Sequence, residues 1–152
     1  MEIEITAKTE FRAMTAQDHE TMMAHCLYEQ QKENPQAPYF ETFAYEHHGE
    51  LFGCGGFQMI TETTAWCWVA LTDLISSRYV PAYRVIKEFL EKWCLENGIV
   101  RLQAWVKQDF IEGERLVEHL NFQKEGDHMK DFCGKGVSAQ LYVKFFDVKE
   151  TE

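Results

Sequence analysis

Several residues have the types that chemistry needs. Gly53, Gly55 and Gly56 surround Cys54 inside an apolar run, and a backbone stripped of side chains can approach a phosphate or another strand. A phosphate cradle also requires a helix to start next, and none follows, so the glycines predict a bulge or a close main-chain approach. Cys54 in such a setting packs as a small hydrophobe rather than serving as a nucleophile. His25, His47 and His48 are metal-ligand types, yet no His pair at i, i+4 with a carboxylate and no Cys-rich partner accompanies them. They are expected on turns or a helix surface, and no metal site is predicted. Trp66, Trp68 and Trp105 fall on adjacent predicted strands, with Trp66 and Trp68 on one strand face. They can stack a ring ligand, fill an aromatic core or form a protein-contact patch.

The elements that must position these residues follow from periodicity. Residues 2 to 14 alternate loosely around Ile3, Ile5, Phe11 and Met14, as one or two short strands do. Thr15 with Asp18 three positions on resembles a capping box, and Met22, Met23, Cys26 and Leu27 give the helix one apolar face before Pro35 and Pro38 end the segment. Period two then takes over: Phe40 to Tyr45, Leu51 to Met59 and Trp66 to Leu71 predict an antiparallel meander turning at His47-His48-Gly49. A long helix starts near Pro81, with Val85, Ile86, Phe89, Leu90, Trp93 and Cys94 on one stripe and Asn97-Gly98 as its stop. Val100 to Val106 alternates as a strand. Asp109 and Glu112 suggest a second capping box for a short helix carrying Phe110, Gly113, Val117 and Leu120. Phe122 to Asp127 and then Ala139, Leu141, Val143 and Phe145 return to sheet.

With 152 residues, 45% hydrophobic and 26% charged, the chain is expected to form a single domain, 1-152, with its own core. A net charge of −10 argues against nucleic acid as a direct partner. Five cysteines in no C-x-x-C spacing read as reduced core residues of a cytoplasmic protein. The N-terminus lacks a basic and apolar leader, and no apolar run reaches the ~20 residues of a bilayer span.

The element order β-α-βββ-α-β-α-ββ resembles that of the GNAT N-acetyltransferases, an α/β (α+β) fold with a mixed, mainly antiparallel sheet. Two local matches carry the likeness: FRAMTAQDHETMMAHC looks like the family's opening strand and helix, and ERLVEHLNFQKEG resembles its signature L-Y-E-K-L-G-F-x-x-x-G. The segment AWCWVALTDLISSRYVPAYRVIKEFL also resembles small bacteriophage proteins of this kind, including internal virion proteins of short-tailed phages.

The resemblance implies acetyl-CoA as cofactor, held by the motif Q/R-x-x-G-x-G/A at the start of the long helix. The matching stretch is RYVPAY, so Arg78, Val80, Ala82 and Tyr83 are the implied coenzyme-binding residues. Pro81 stands at the first glycine and Tyr83 at the second small position, which removes one N–H donor and adds bulk where a pyrophosphate would lie. The family's phenolic general acid is matched by Val117, which has no proton to give. The fourth strand carries no carboxylate, leaving Glu62 before it and Asp73 after it as candidate bases. These departures imply a protein of acetyltransferase ancestry that works through protein contacts, in a virion or on a host protein, with oligomer formation open. An active N-acetyltransferase of a small amine or protein, and an inhibitor of a host protein, are the alternatives.

Overall fold

The computed structural model describes residues 9–27, 41–47, 49–73 and 79–147. Among the described residues ten elements follow in the expected order: β1 (Thr9–Ala13), α1 (Ala16–His25), β2 (Glu41–His47), β3 (Glu50–Met59), β4 (Thr64–Leu71), α2 (Tyr79–Glu96), β5 (Arg101–Lys107), α3 (Ile111–His119), β6 (Gln123–Met129) and β7 (Ala139–Phe145). The seven strands are hydrogen-bonded in the order β1-β2-β3-β4-β5-β7-β6, with β4 and β5 parallel. The β1–β2, β2–β3, β5–β7 and β6–β7 pairs are antiparallel, so the sheet is mixed and mainly antiparallel, as expected. The chain clusters into two compact units, one of residues 1–58 and 67–79 and the other of residues 59–66 and 80–152.

In the first unit, α1 starts where the sequence says it should. The Thr15 hydroxyl accepts from the Asp18 N–H (3.2 Å) and the Asp18 carboxylate accepts from the Thr15 N–H (2.8 Å), a complete capping box. The helix stops at His25, well before Pro35 and Pro38, which lie outside the described residues. Cys26 has already turned extended and bridges to Thr72, while the Leu27 N–H bonds the Leu71 carbonyl at 2.7 Å. Met22 packs with Ala44, Leu51, Cys54, Trp68 and Ala70.

The three glycines of β3 do mark close approach. A Cβ on Gly53 would meet the Ala70 carbonyl oxygen at 2.6 Å, and one on Gly56 would meet the Trp68 indole nitrogen at 2.5 Å. The β2–β3 register also slips between Tyr45 and Glu46, opposite Gly53 and Leu51. Such a bulge is what a side-chain-poor strand permits.

One expectation for this region is corrected and one left open is filled in. His47 is the last residue of β2 and is buried edge-on against Phe52 rather than exposed on a turn, because the turn lies beyond it; His48 is outside the described residues. Trp66 and Trp68 differ in burial, the neighbours Cys67 and Trp68 both being buried. Trp68 belongs to the core and Trp66 remains half-buried.

In the second unit, α2 presents Ile86, Leu90, Trp93 and Cys94 inward and ends where Gly98 takes a φ of 68°. There the Ile99 N–H reaches back to the Cys94 carbonyl at 2.8 Å, closing the helix. Leu102, Ala104 and Val106 of β5 are buried, with Arg101, Gln103, Trp105 and Lys107 on its other face.

The predicted Asp109 and Glu112 capping box does not form. Asp109 is left-handed (φ 66°), Phe110 occupies the cap position without a side-chain bond, and the Phe110 ring lies over Gly113. Phe110, Gly113, Val117 and Leu120 are nonetheless buried as the spacing predicts. The last strand departs from plain alternation: Tyr142 and Lys144 are buried beside Val143, whereas Phe145 is 59% exposed. Lys144 is tolerated there because its ammonium donates to Glu91 of α2 (2.9 Å) and to the Leu120 carbonyl at the end of α3 (2.8 Å).

Candidate functional site

The start of α2 is where the sequence places a coenzyme turn. The helix opens at Tyr79, so Pro81 is its third residue and Val80 and Ala82 lie in its first turn. Arg78 lies outside the described residues, as do the side chains of Val80 and Ala82. Tyr83 is half-buried, and its ring stacks on His119 near the end of α3, with centroids 4.9 Å apart and planes at 18°. The structure thus brings together two aromatic rings, from the second small position of the motif and from the signature helix.

Val117 is 8% exposed and packs into the core under α3. No proton donor stands there. Glu62 sits exposed in the turn joining β3 to β4, where the Ile60 and Thr61 N–H groups bond the Thr64 carbonyl. Asp73 is half-exposed and its carboxylate lies 3.3 Å from His25 Nδ1, a pairing that the sequence spacing did not indicate. Each candidate base is solvated in its own turn.

Other ionisable groups are occupied by structure. Burial pushes the Cys54 thiol up to about 12, so it stays protonated at neutral pH and is no nucleophile. Asp18 is pushed up by burial, but the Arg12 guanidinium (2.6 and 3.0 Å) and the Thr15 donors outweigh this and hold its carboxyl below the usual range.

A phenol that sequence reasoning passed over lies on β7. Tyr142 donates to Glu114 of α3 at 3.3 Å. Burial, then the Glu114 and Glu118 charges, raise it well above the ordinary tyrosine range, which makes it a reluctant proton donor. Its place in a strand, unmarked by any motif, gave no signal in the sequence.

For a coenzyme diphosphate, a helix start serves through free N–H groups and open space. The described part of this turn does not fit that need. Proline at the third helical position supplies no N–H, and the Tyr83 ring lies against His119 one residue into the next turn.

No protein-family model and no curated protein matches the chain. Solved structures do. The ribosomal L7/L12 alpha-N-protein acetyltransferase RimL in complex with coenzyme A superposes with a TM-score of 0.71 at 14% identity, covering 95% of this chain and 98% of that one. A GNAT family acetyltransferase from Elizabethkingia anophelis with acetyl-CoA bound gives 0.68 at 12% identity, covering 91% and 99%. Spermidine/spermine N-acetyltransferase SpeG from Vibrio cholerae gives 0.65 at 13%, covering 93% and 94%. Likeness at such identities speaks to the fold, and over more than nine-tenths of its length this chain has the fold of the GNAT acetyltransferases.

Proposed function

We propose that this chain keeps the acetyltransferase scaffold without efficient acyl transfer and works through contacts with other proteins. The observation that carries the reading is Tyr83 stacked on His119 at a position where coenzyme binding asks for a small residue. Buried Val117, standing where the family's phenol would donate a proton, adds to it. The resemblance of the Ala65 to Leu90 segment to small phage proteins makes a virion, or the cytoplasm of an infected cell, the place of action. Its partner there is a structural protein of the particle or a host protein that it inhibits.

Calorimetric titration with acetyl-CoA and with CoA tests the loss of coenzyme binding. Silence up to about 1 mM ligand is expected, a concentration at which even weak sites saturate partly. Micromolar binding with heat would overturn the reading in favour of an active N-acetyltransferase, which the match to coenzyme-bound structures supports. Mass spectrometry of purified particles tests the place of action: stoichiometric copies are expected, and confinement to the cytosol would leave the host-protein role.

A further inference from the structure

The β5–β7 pairing sorts the second unit into two faces, because residues directly opposite one another in an antiparallel pair point the same way. Leu102 faces Lys144 and Ala104 faces Tyr142, whose bonds to Glu91, the Leu120 carbonyl and Glu114 tie α2 and α3 to that side. On the opposite side Trp105 pairs with Leu141 and Arg101 with Phe145, and Trp66 of β4 lies beside Gln103. Both helices of the unit are committed to the first face.

A short loop of the same unit folds against the rings of the other face. Residues 130 to 138, between β6 and β7, are held by their own hydrogen bonds: Cys133 N–H to the Val137 carbonyl (2.9 Å), Val137 N–H to the Gly134 carbonyl (2.9 Å), and Gly136 N–H to the Asp131 carboxylate (2.9 Å). The Asp131 N–H donates to the Ser138 hydroxyl at 3.2 Å. Asp131, Gly134 and Gly136 all take positive φ, the backbone turns that let these hydrogen bonds close across the loop. What it presents is apolar: Phe132 is 46% exposed and Val137 39%. Phe132 lies edge-on to Trp105 at 5.5 Å and tilted against Trp66 at 6.3 Å. A hydrogen-bonded loop holding a half-exposed aromatic ring beside two tryptophans has the anatomy of an interface core.

The charges around these rings choose the occupant. Arg101 is paired with Glu125, and Lys124 lies 3.9 Å from Asp127. Lys130 and Lys135 flank Phe132 in the loop, and Lys107 shares the β5 face with Trp105 two residues away. Among the described residues, none of these three lysines has a carboxylate within ion-pair distance. The one acid of the loop, Asp131, spends its carboxylate on the Gly136 N–H. On a chain of net charge −10 these lysines are a local cationic rim around one exposed ring and two half-buried ones. Electrostatic complementarity of that kind sets partner choice and encounter rate.

We propose that Trp66, Trp105 and Phe132, rimmed by Lys107, Lys130 and Lys135, form a docking surface for an acidic, apolar-tipped segment of a partner protein. The proposal rests on the reading of the chain as a protein that works through contacts, and it names the surface and the chemistry of what binds there. Single-stranded nucleic acid also combines ring stacking with phosphate charge. The overall charge of the chain opposes a polyanion longer than the patch, and a short acidic peptide avoids that repulsion.

The test is fluorescence anisotropy with a labelled synthetic peptide of about ten residues alternating glutamate with leucine and phenylalanine, the size of a linear recognition motif. Saturable binding that weakens with added salt is expected. The Phe132→Ser variant and the Lys130→Glu, Lys135→Glu double variant should each bind about tenfold more weakly or worse, as removal of an anchor does. Thermal melts of both variants should match the parent, since all three side chains are exposed. Glu88→Lys on α2, away from this face, should leave binding unchanged. Absence of saturation at about 1 mM peptide, equal binding of the lysine-for-glutamate peptide, or tighter binding of an oligothymidylate of matching length would overturn the proposal. The coenzyme titration reads separately: acetyl-CoA binding would sink the inactive reading and leave this surface standing, whereas peptide failure alone sinks only the surface.

Discussion

At Gly53 a missing methyl group decides whether two strands can sit side by side. The obstructing atom is a main-chain carbonyl oxygen of Ala70, which cannot rotate away, so Gly53→Ala should cost about 1–3 kcal/mol, the usual range for forced overpacking. Equilibrium urea unfolding measures it. Asp18 supplies the pH dependence. Its carboxyl is held below the reference of 3.8 in the folded chain, so its contribution is present above that pH and lost as acid protonates it further down. Melting temperature should fall as pH drops below about 4, and Asp18→Asn, already weakened at neutral pH, should show a flatter acid limb. The glycines were legible in the sequence because absence of a side chain has few uses inside a strand. Asp109 was misleading for the converse reason: an Asp three residues ahead of a Glu is consistent with a cap, but only the backbone dihedral tells whether the chain has entered the helix there.

At the level of elements, α3 shows spacing becoming packing. The spacing of Phe110, Gly113, Val117 and Leu120 predicts burial, and burial is found. At 8% exposure the Val117 position leaves little room for a larger side chain. Val117→Tyr should therefore fail to confer acetyl transfer and should lower stability by about 1–3 kcal/mol, because a phenol exceeds the volume available. Acetyl-CoA turnover and a urea midpoint on one preparation separate the two effects. The join of β7 to α2 and α3 through Lys144 makes a second test: Lys144→Met should cost about 1–2 kcal/mol by releasing the Leu120 carbonyl from its donor. Glu91→Gln should cost less, about 0–1 kcal/mol, because Glu91 is partly solvated. Element order was readable from periodicity alone. The burial of both Cys67 and Trp68 in β4 was not, since a period tells which residues share a face and stays silent about how far each face is covered.

For the whole molecule, the two compact units are not successive lengths of chain. The polypeptide passes from the first to the second at Gln58, returns at Cys67 and leaves again after Tyr79, so β4 begins in one unit and ends in the other. A fragment of residues 80–152 lacks Thr64 to Trp66, which pair with Arg101 to Gln103, and should show no cooperative melt by circular dichroism. Fold class and the order of the described elements were legible in the sequence, because the apolar period changes where strand gives way to helix. The Tyr83 and His119 contact was not, since only the fold sets the two helices side by side. The split has an optical consequence. Of the four tryptophans, Trp68 alone falls in the first unit, lodged over Gly56 with its indole shielded from solvent. With the other three changed to phenylalanine, the emission of that single buried indole reports, in the purified chain and without any label, whether the first unit is intact, shifting to longer wavelength when water reaches the ring.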